Sequence, residues 1–143
     1  MTARKFHVDG SAAPAGHIFV FGSNLRGAHL GGAAAAAHSE YGAAWGVSEG
    51  RTGHAYAIPT VAVTVVSRLS LPAIGAAVER FIAYATAHPH LHFFITRVGC
   101  GIAGHLDADI APMFRDAPAN CSLPDTWAAI LEDSSAAAQE VLA

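Results

Sequence analysis

Lysine is almost missing from this chain. Of the 8 lysine and arginine residues only Lys5 is a lysine, and the arginines are scattered without a cluster. Tracking along a nucleic-acid duplex needs a dense positive stripe, and a formal net charge of -3 with no such stripe argues against that class of partner. Cysteine is scarce as well. Cys100 and Cys121 are too few to build a disulfide framework, and two reduced thiols suit a cytosolic setting. No apolar run approaches the roughly 18 to 20 residues needed to cross a bilayer. The opening "MTARKFHVDG" carries two basic residues and no apolar core behind them, so it does not read as a secretory signal and the expected compartment is the cytoplasm.

What is abundant is alanine and glycine. Hydrophobic residues make up 52% of the 143, much of it alanine, and a chain of that length is expected to form one domain over residues 1–143 with a real core. Residues 1–16 are broken by Gly10, Pro14 and Gly16 and are expected to be irregular. "HIFVFG" (17–22) is a continuous apolar run closed by glycine, which predicts a buried strand. An alanine-rich helix is predicted from Gly32 to about Tyr41, stopped by Gly42. A loop with four glycines (42–54) follows, then a strand over 55–59 ended by Pro59. Residues 61–69 are rich in β-branched side chains, predicting a further strand or an extended connection. Ser70 then caps a helix reaching about Ala87, whose stripe is Ile74, Val78, Phe81, Ile82 and Ala85. "LHFFITRVG" (91–99) predicts a central strand, with a short helix headed by Asp107 or Asp109 after it and a last helix opened by Ser122 and Pro124. Strand, glycine loop and helix alternate three times, which argues an α/β fold with a largely parallel sheet covered by helices.

Two glycine loops follow two of these strands. "FGSNLRGAHLGGAA" comes after the first and "GCGIAGH" after the strand at 91–99. In open α/β sheets ligands bind beyond the carboxyl ends of strands. Glycine lets phosphate oxygens approach main-chain N–H groups, and the helix starting near Gly32 directs its unpaired amides into the same space. Such a pair of loops would hold a diphosphate without lysine. Turns alone also explain glycines, so the plain alternative is two connections. Neither loop has the Gly-Lys-Ser/Thr of a Walker sequence, and the dinucleotide fingerprint fails on glycine spacing.

These residues, "FVFGSNLRGAHLGGAAAAAHSEYGA" and "GHAYAIPT" with "FFITRVGCGIAGH" and "DIAPMF", resemble a group of small bacterial and phage proteins with macro-domain-like features, over most of residues 17–127. Ser23-Asn24 and Gly31-Gly32-Ala33 are similar to the early Asn-containing turn and glycine run of macro domains. Gly99, Cys100, Gly101, Ile102, Ala103 and Gly104 are similar to their late Gly-x-Gly loop. The resemblance implies a three-layer α/β/α sandwich with a mostly parallel or mixed sheet, and a cleft for ADP-ribose or a related NAD-derived nucleotide. It implies ligand contacts at Gly22, Ser23, Asn24, Arg26, Gly31, Gly32 and Ala33 on one side, and at Gly99 to Gly104 on the other. The catalytic aspartate of one hydrolytic branch falls at Ala103, another branch's at about Ala33 or Ala34, and Lys5 is outside both loops. Binding survives these departures better than hydrolysis of ADP-ribosyl linkages does.

The side chains leave alternatives open. Asn24 would bond a ribose or orient a water, or close an Asx turn. His29 would polarise a bond or pair with phosphate, or be a solvated loop residue; Arg26 would fork onto a phosphate. Cys100 would be a nucleophile with His29, His54 or His105 as base, or a small space-filler. Asp107 and Asp109 suit a helix cap or a general base. His88, His90 and His92 would share one face of an extended segment and converge on a metal, although a helix end also favours imidazoles; no metal or cofactor is assigned. Tyr41, Trp45, Tyr56 and Phe114 would stack on a purine or pack the core. Three functions follow: an ADP-ribose-binding cleft with hydrolysis carried by Asn24, His29 and Asp107; a non-catalytic module of phage or mobile-element origin that sequesters a nucleotide or contacts a protein; and a cysteine-dependent hydrolase. ADP-ribose, or a macromolecule carrying it, is the expected partner, without a membrane.

Overall fold

The computed structural model describes residues 4–62, 67–101 and 103–132. In chain order the elements are β1 (Lys5–His7), β2 (Ile18–Asn24), α1 (Gly32–Glu40), β3 (Gly50–Thr52), β4 (Ala55–Val61), α2 (Leu71–Ala87), β5 (Phe93–Ile95), α3 (Asp107–Ile110) and β6 (Cys121–Pro124). Short 3-10 turns at Ala111–Phe114 and Asp125–Trp127 flank β6, and residues 128–132 are helical. The six strands form one sheet in the order β1-β6-β5-β2-β4-β3. All neighbours run parallel except β3, which lies antiparallel on β4. The chain is therefore α/β with a mixed, mostly parallel sheet.

Alternation along the strands sorts two cores. Ile18, Val20, Tyr56, Ile58, Phe93 and Ile95 face α2, which buries Ile74, Ala77, Val78, Phe81 and Ala85 against them. Each large side chain in that stripe contributes roughly 1.5 to 3 kcal/mol by leaving water. Phe19, Phe21, Ala55, Ala57 and Phe94 face the other way, against Ala34 and Ala37 of α1. Alanine suits that contact, since a helix with methyl side chains sits close on two phenylalanines. Helix α2 starts as its sequence predicts: Ser70 Oγ accepts from the Ala73 amide at 3.3 Å and Pro72 stands in the first turn.

Four predicted boundaries change. The stretch 1–16 contains β1, in parallel register with β6 through Lys5–Ser122 and His7–Pro124. Strand β4 continues through Pro59 to Val61; β3 pairs only with Ala55, Tyr56 and Ala57, so Pro59, which offers no N–H, lies beyond the end of that pairing. Strand β5 covers Phe93–Ile95 rather than 91–99, because its register with β2 runs only from Phe93 to Ile95 and that with β6 ends at Phe94. Ser122 and Pro124 lie in β6 instead of opening a helix; Cys121 and Leu123 alternate into the core, and the helical turn begins at Asp125. The predicted element at 61–69 lies partly outside the described residues; Val61 and Arg68 form an isolated antiparallel bridge at its ends.

Crossover direction locates the site. From β2 the chain crosses to β4 by way of α1, then returns past β2 to β5 by way of α2. Right-handed crossovers running opposite ways across a sheet must lie on opposite faces, and the two helices do. The strand order reverses between β2 and β5, where a crevice opens beyond their carboxyl ends.

Candidate functional site

That crevice is a cavity of about 950 Å3, at the upper end of the roughly 300 to 1,000 Å3 typical of ligand clefts. Both glycine loops line it. Gly22, Ser23, Asn24 and Arg26 approach from the end of β2, with Gly31, Gly32 and Ala33 at the start of α1. Gly99, Gly101 and Ala103 approach from beyond β5. Gly99 has φ +77, a conformation that side chains rarely adopt, so this turn requires glycine. No side chain caps α1, whose N-cap is Gly31, and its first-turn residues border the cavity with their amides uncapped.

The floor is aromatic. Phe19 on β2 and Phe94 on β5 are register partners. Tyr41, just past α1, stacks on Phe19 with ring centres 4.3 Å apart, and His7 of β1 stacks on Phe94 at 3.7 Å. Burial holds the His7 imidazole below its usual pKa, and its Nδ1 lies 2.7 Å from Ser122 Oγ. Tyr41 was a candidate from the sequence. His7, Asp9 and the 10–12 segment, Phe19, Phe94, Thr96 and Arg97 were missed although they line the cavity. Strand alternation in "IFVFG" and "FFI" would have placed Phe19 and Phe94 on one face, but only the register of β2 with β5 makes them neighbours.

The side chains singled out for chemistry are engaged elsewhere. Asn24 Oδ1 accepts from the amides of Arg26 (3.1 Å) and Ala28 (3.0 Å), and its Nδ2 donates to Ala28 O at 2.7 Å. Its side chain is the staple of its own turn. Ser23 Oγ donates to Ser48 O. His29 does not line the cavity and is not solvated; it is 3% exposed, with Nε2 donating to Ala44 O at 2.9 Å. Asp107 is also absent from the lining. It takes Arg97 Nε at 2.9 Å and Nη2 at 2.6 Å, and its Oδ1 takes Trp127 Nε1 at 2.7 Å. The hydrogen bonds from Arg97, more than those from Trp127, hold its carboxyl below the ordinary range. A carboxylate so fixed is a scaffold for Arg97, which does reach the cavity.

Cys100 and Gly104 do not line the cavity, and Ile102 lies outside the described residues. Burial, with the nearby Asp107 charge, pushes the Cys100 thiol up to about 12, the opposite of what a nucleophile needs. Its suggested bases are no closer to that role: His29 is placed as above, His105 Nε2 lies 3.2 Å from Leu69 O, and His54 follows β3 at an exposed turn. Asp109 opens α3 beside Asp107 and has no part in the lining.

His88 and His90 approach to 6.1 Å between ring centres, but His92 does not join them, because the segment turns where the sequence predicts an extended chain. His88 Nδ1 donates to Tyr84 O at 2.7 Å, and His92 stacks on His17 instead. Among the described residues no group of three or more His, Cys, Asp or Glu side chains is arranged to hold a metal. Tyr56 and Phe114 are core residues on the α2 face, and Trp45 lies outside the cavity. No described helix is long and apolar enough to cross a membrane. No protein-family model, curated protein or solved structure matches the chain.

Proposed function

We propose that the cavity binds ADP-ribose or a related NAD-derived nucleotide and holds it without hydrolysis. One observation carries the reading: two glycine loops, far apart in sequence, border the same cavity at the strand-order reversal. Their amides and the uncapped start of α1 suit a diphosphate, and the Phe19–Tyr41 and Phe94–His7 stacks suit a planar base. The macro-domain-like resemblance of residues 17–127 supports the choice of nucleotide. Sequestration is favoured over turnover by the engagement of Asn24, His29, Asp107 and Cys100 in the protein's own contacts.

Calorimetry with ADP-ribose tests the binding. Saturable heat at micromolar to low-millimolar ligand is expected, and its absence at millimolar ligand removes the reading. Incubation with an ADP-ribosylated protein tests the second half. No release of ADP-ribose above the uncatalysed rate is expected, and release by the wild type would make the protein a hydrolase.

A further inference from the structure

Two arginines line the cavity, Arg26 beside the first glycine loop and Arg97 beside the second, and they are held differently. Arg26 is exposed, and only its backbone amide is bonded, to Asn24 Oδ1. Arg97 is clamped. Its Nε and Nη2 donate to the two oxygens of Asp107 at 2.9 and 2.6 Å, and Asp107 is fixed in turn by Trp127 Nε1 at 2.7 Å, from a fully buried indole. Asp107 takes two of the five N–H donors of a guanidinium. The Nη1–Nη2 edge keeps the other three, and none has a hydrogen-bond partner among the described residues. The other carboxylate within ion-pair reach is Asp9, whose Oδ2 lies 4.0 Å from Nη1, too far for a hydrogen bond. Asp9 lines the cavity too, and both side chains are about a third exposed.

We propose that the Nη1–Nη2 edge of Arg97 is the anion anchor of the cavity, taking phosphate oxygens of the ligand's diphosphate in place of Asp9. The inference rests on the crevice being the nucleotide site, and it adds a charge requirement: phosphate-bearing ligands bind, and the neutral nucleoside with the same base does not. Position supports the assignment. A Cβ on Gly22 would stand 3.5 Å from the Gly99 amide nitrogen, so the two loops touch there, two residues along the chain from Arg97. A guanidinium already fixed in its plane loses little freedom on binding, and its fork matches two phosphate oxygens. Charge-assisted bonds of about 2.7 to 2.9 Å then replace a long ion pair. Asp9 works against the anion. One guanidinium between two carboxylates leaves the cluster net negative, so neutralising Asp9 must raise anion affinity.

Inorganic diphosphate, titrated into the full chain by calorimetry, tests the anchor without any base or ribose. Saturable binding at millimolar diphosphate is expected. Arg97→Gln should weaken it at least tenfold, and Asp9→Asn should tighten it several-fold. The chain has two tryptophans, and the Trp127 indole N–H, bonded to Asp107, should shift in NMR while that of Trp45, outside the cavity, stays in place. Absence of saturation, saturation that leaves the Trp127 signal unmoved, or undiminished binding by folded Arg97→Gln overturns the proposal. Should Arg97→Gln fail to fold, Asp9→Asn decides, since unchanged or weaker binding by that variant also overturns it. The nucleotide reading fails separately. Arg97-dependent diphosphate binding without heat from ADP-ribose removes the nucleotide and keeps the anchor; ADP-ribose binding undiminished in Arg97→Gln removes the anchor and keeps the nucleotide.

Discussion

Asn24 shows how a residue type suggests a role that its hydrogen bonds then assign elsewhere. Its amide makes three bonds within residues 24–28, tying the loop that borders the cavity. Asn24→Ala should therefore act on stability first. Loss of a staple that satisfies two partly buried groups costs roughly 1 to 3 kcal/mol, so thermal unfolding should move down by several degrees, with ligand affinity falling only as the loop loosens. An unchanged melting temperature together with lost ADP-ribose binding would instead put this side chain on the ligand. The Asx alternative was legible in the sequence because all its partners are within four residues. The pairing of Asp107 with Arg97 and Trp127 was not, since it joins residues 10 and 20 positions apart that are brought together by α3 and the turn after β6. The same holds for Cys100, whose raised pKa follows from burial and from Asp107 rather than from its two glycine neighbours.

Among elements, legibility followed length and period. The α2 stripe and its Ser70 cap span five turns and were read correctly; β1 and β6, at three and four residues, carry too few side chains for a period and gain their stability from pairing with each other. The glycine loops were legible as loops, but the glycines within them serve different ends. Gly27 has φ +65, and a Cβ there would lie 2.4 Å from Gly46 C and Val47 N, so it lets the first loop press against the 42–48 loop. Gly101 has ordinary backbone, nothing within 4 Å of an added Cβ, and a place in the cavity wall. Two alanine substitutions should separate these roles. Gly27→Ala should destabilise by on the order of 1 to 3 kcal/mol or fail to accumulate as folded protein. Gly101→Ala should melt within a degree or two of the wild type and bind ADP-ribose several-fold more weakly. Equal melting of both, or undiminished binding by Gly101→Ala, would contradict this division.

At the scale of the whole molecule, alternating elements were enough to indicate an α/β sheet, and glycine after β2 and β5 was enough to mark two strand ends. Their meeting depended on strand order. Helices α1 and α2 send the chain in opposite directions from β2, which makes β5 the neighbour of β2 despite about 70 residues between them. The same order brings His7 of β1 toward Phe94 and completes a floor that no local pattern announces. A ligand in this crevice touches one face and one end of the sheet, and amide hydrogen exchange should register that asymmetry. With ADP-ribose at saturation, slowed exchange is expected over residues 22–34 and 97–101, where uncapped or loop amides gain acceptors. Helix α2 packs on the opposite face through Ile74, Val78 and Phe81, so its exchange should not change. Protection centred on α2, or on the Glu49–Arg80 ion pair beside it, would put the nucleotide on the wrong side of the sheet for two converging loops to hold it.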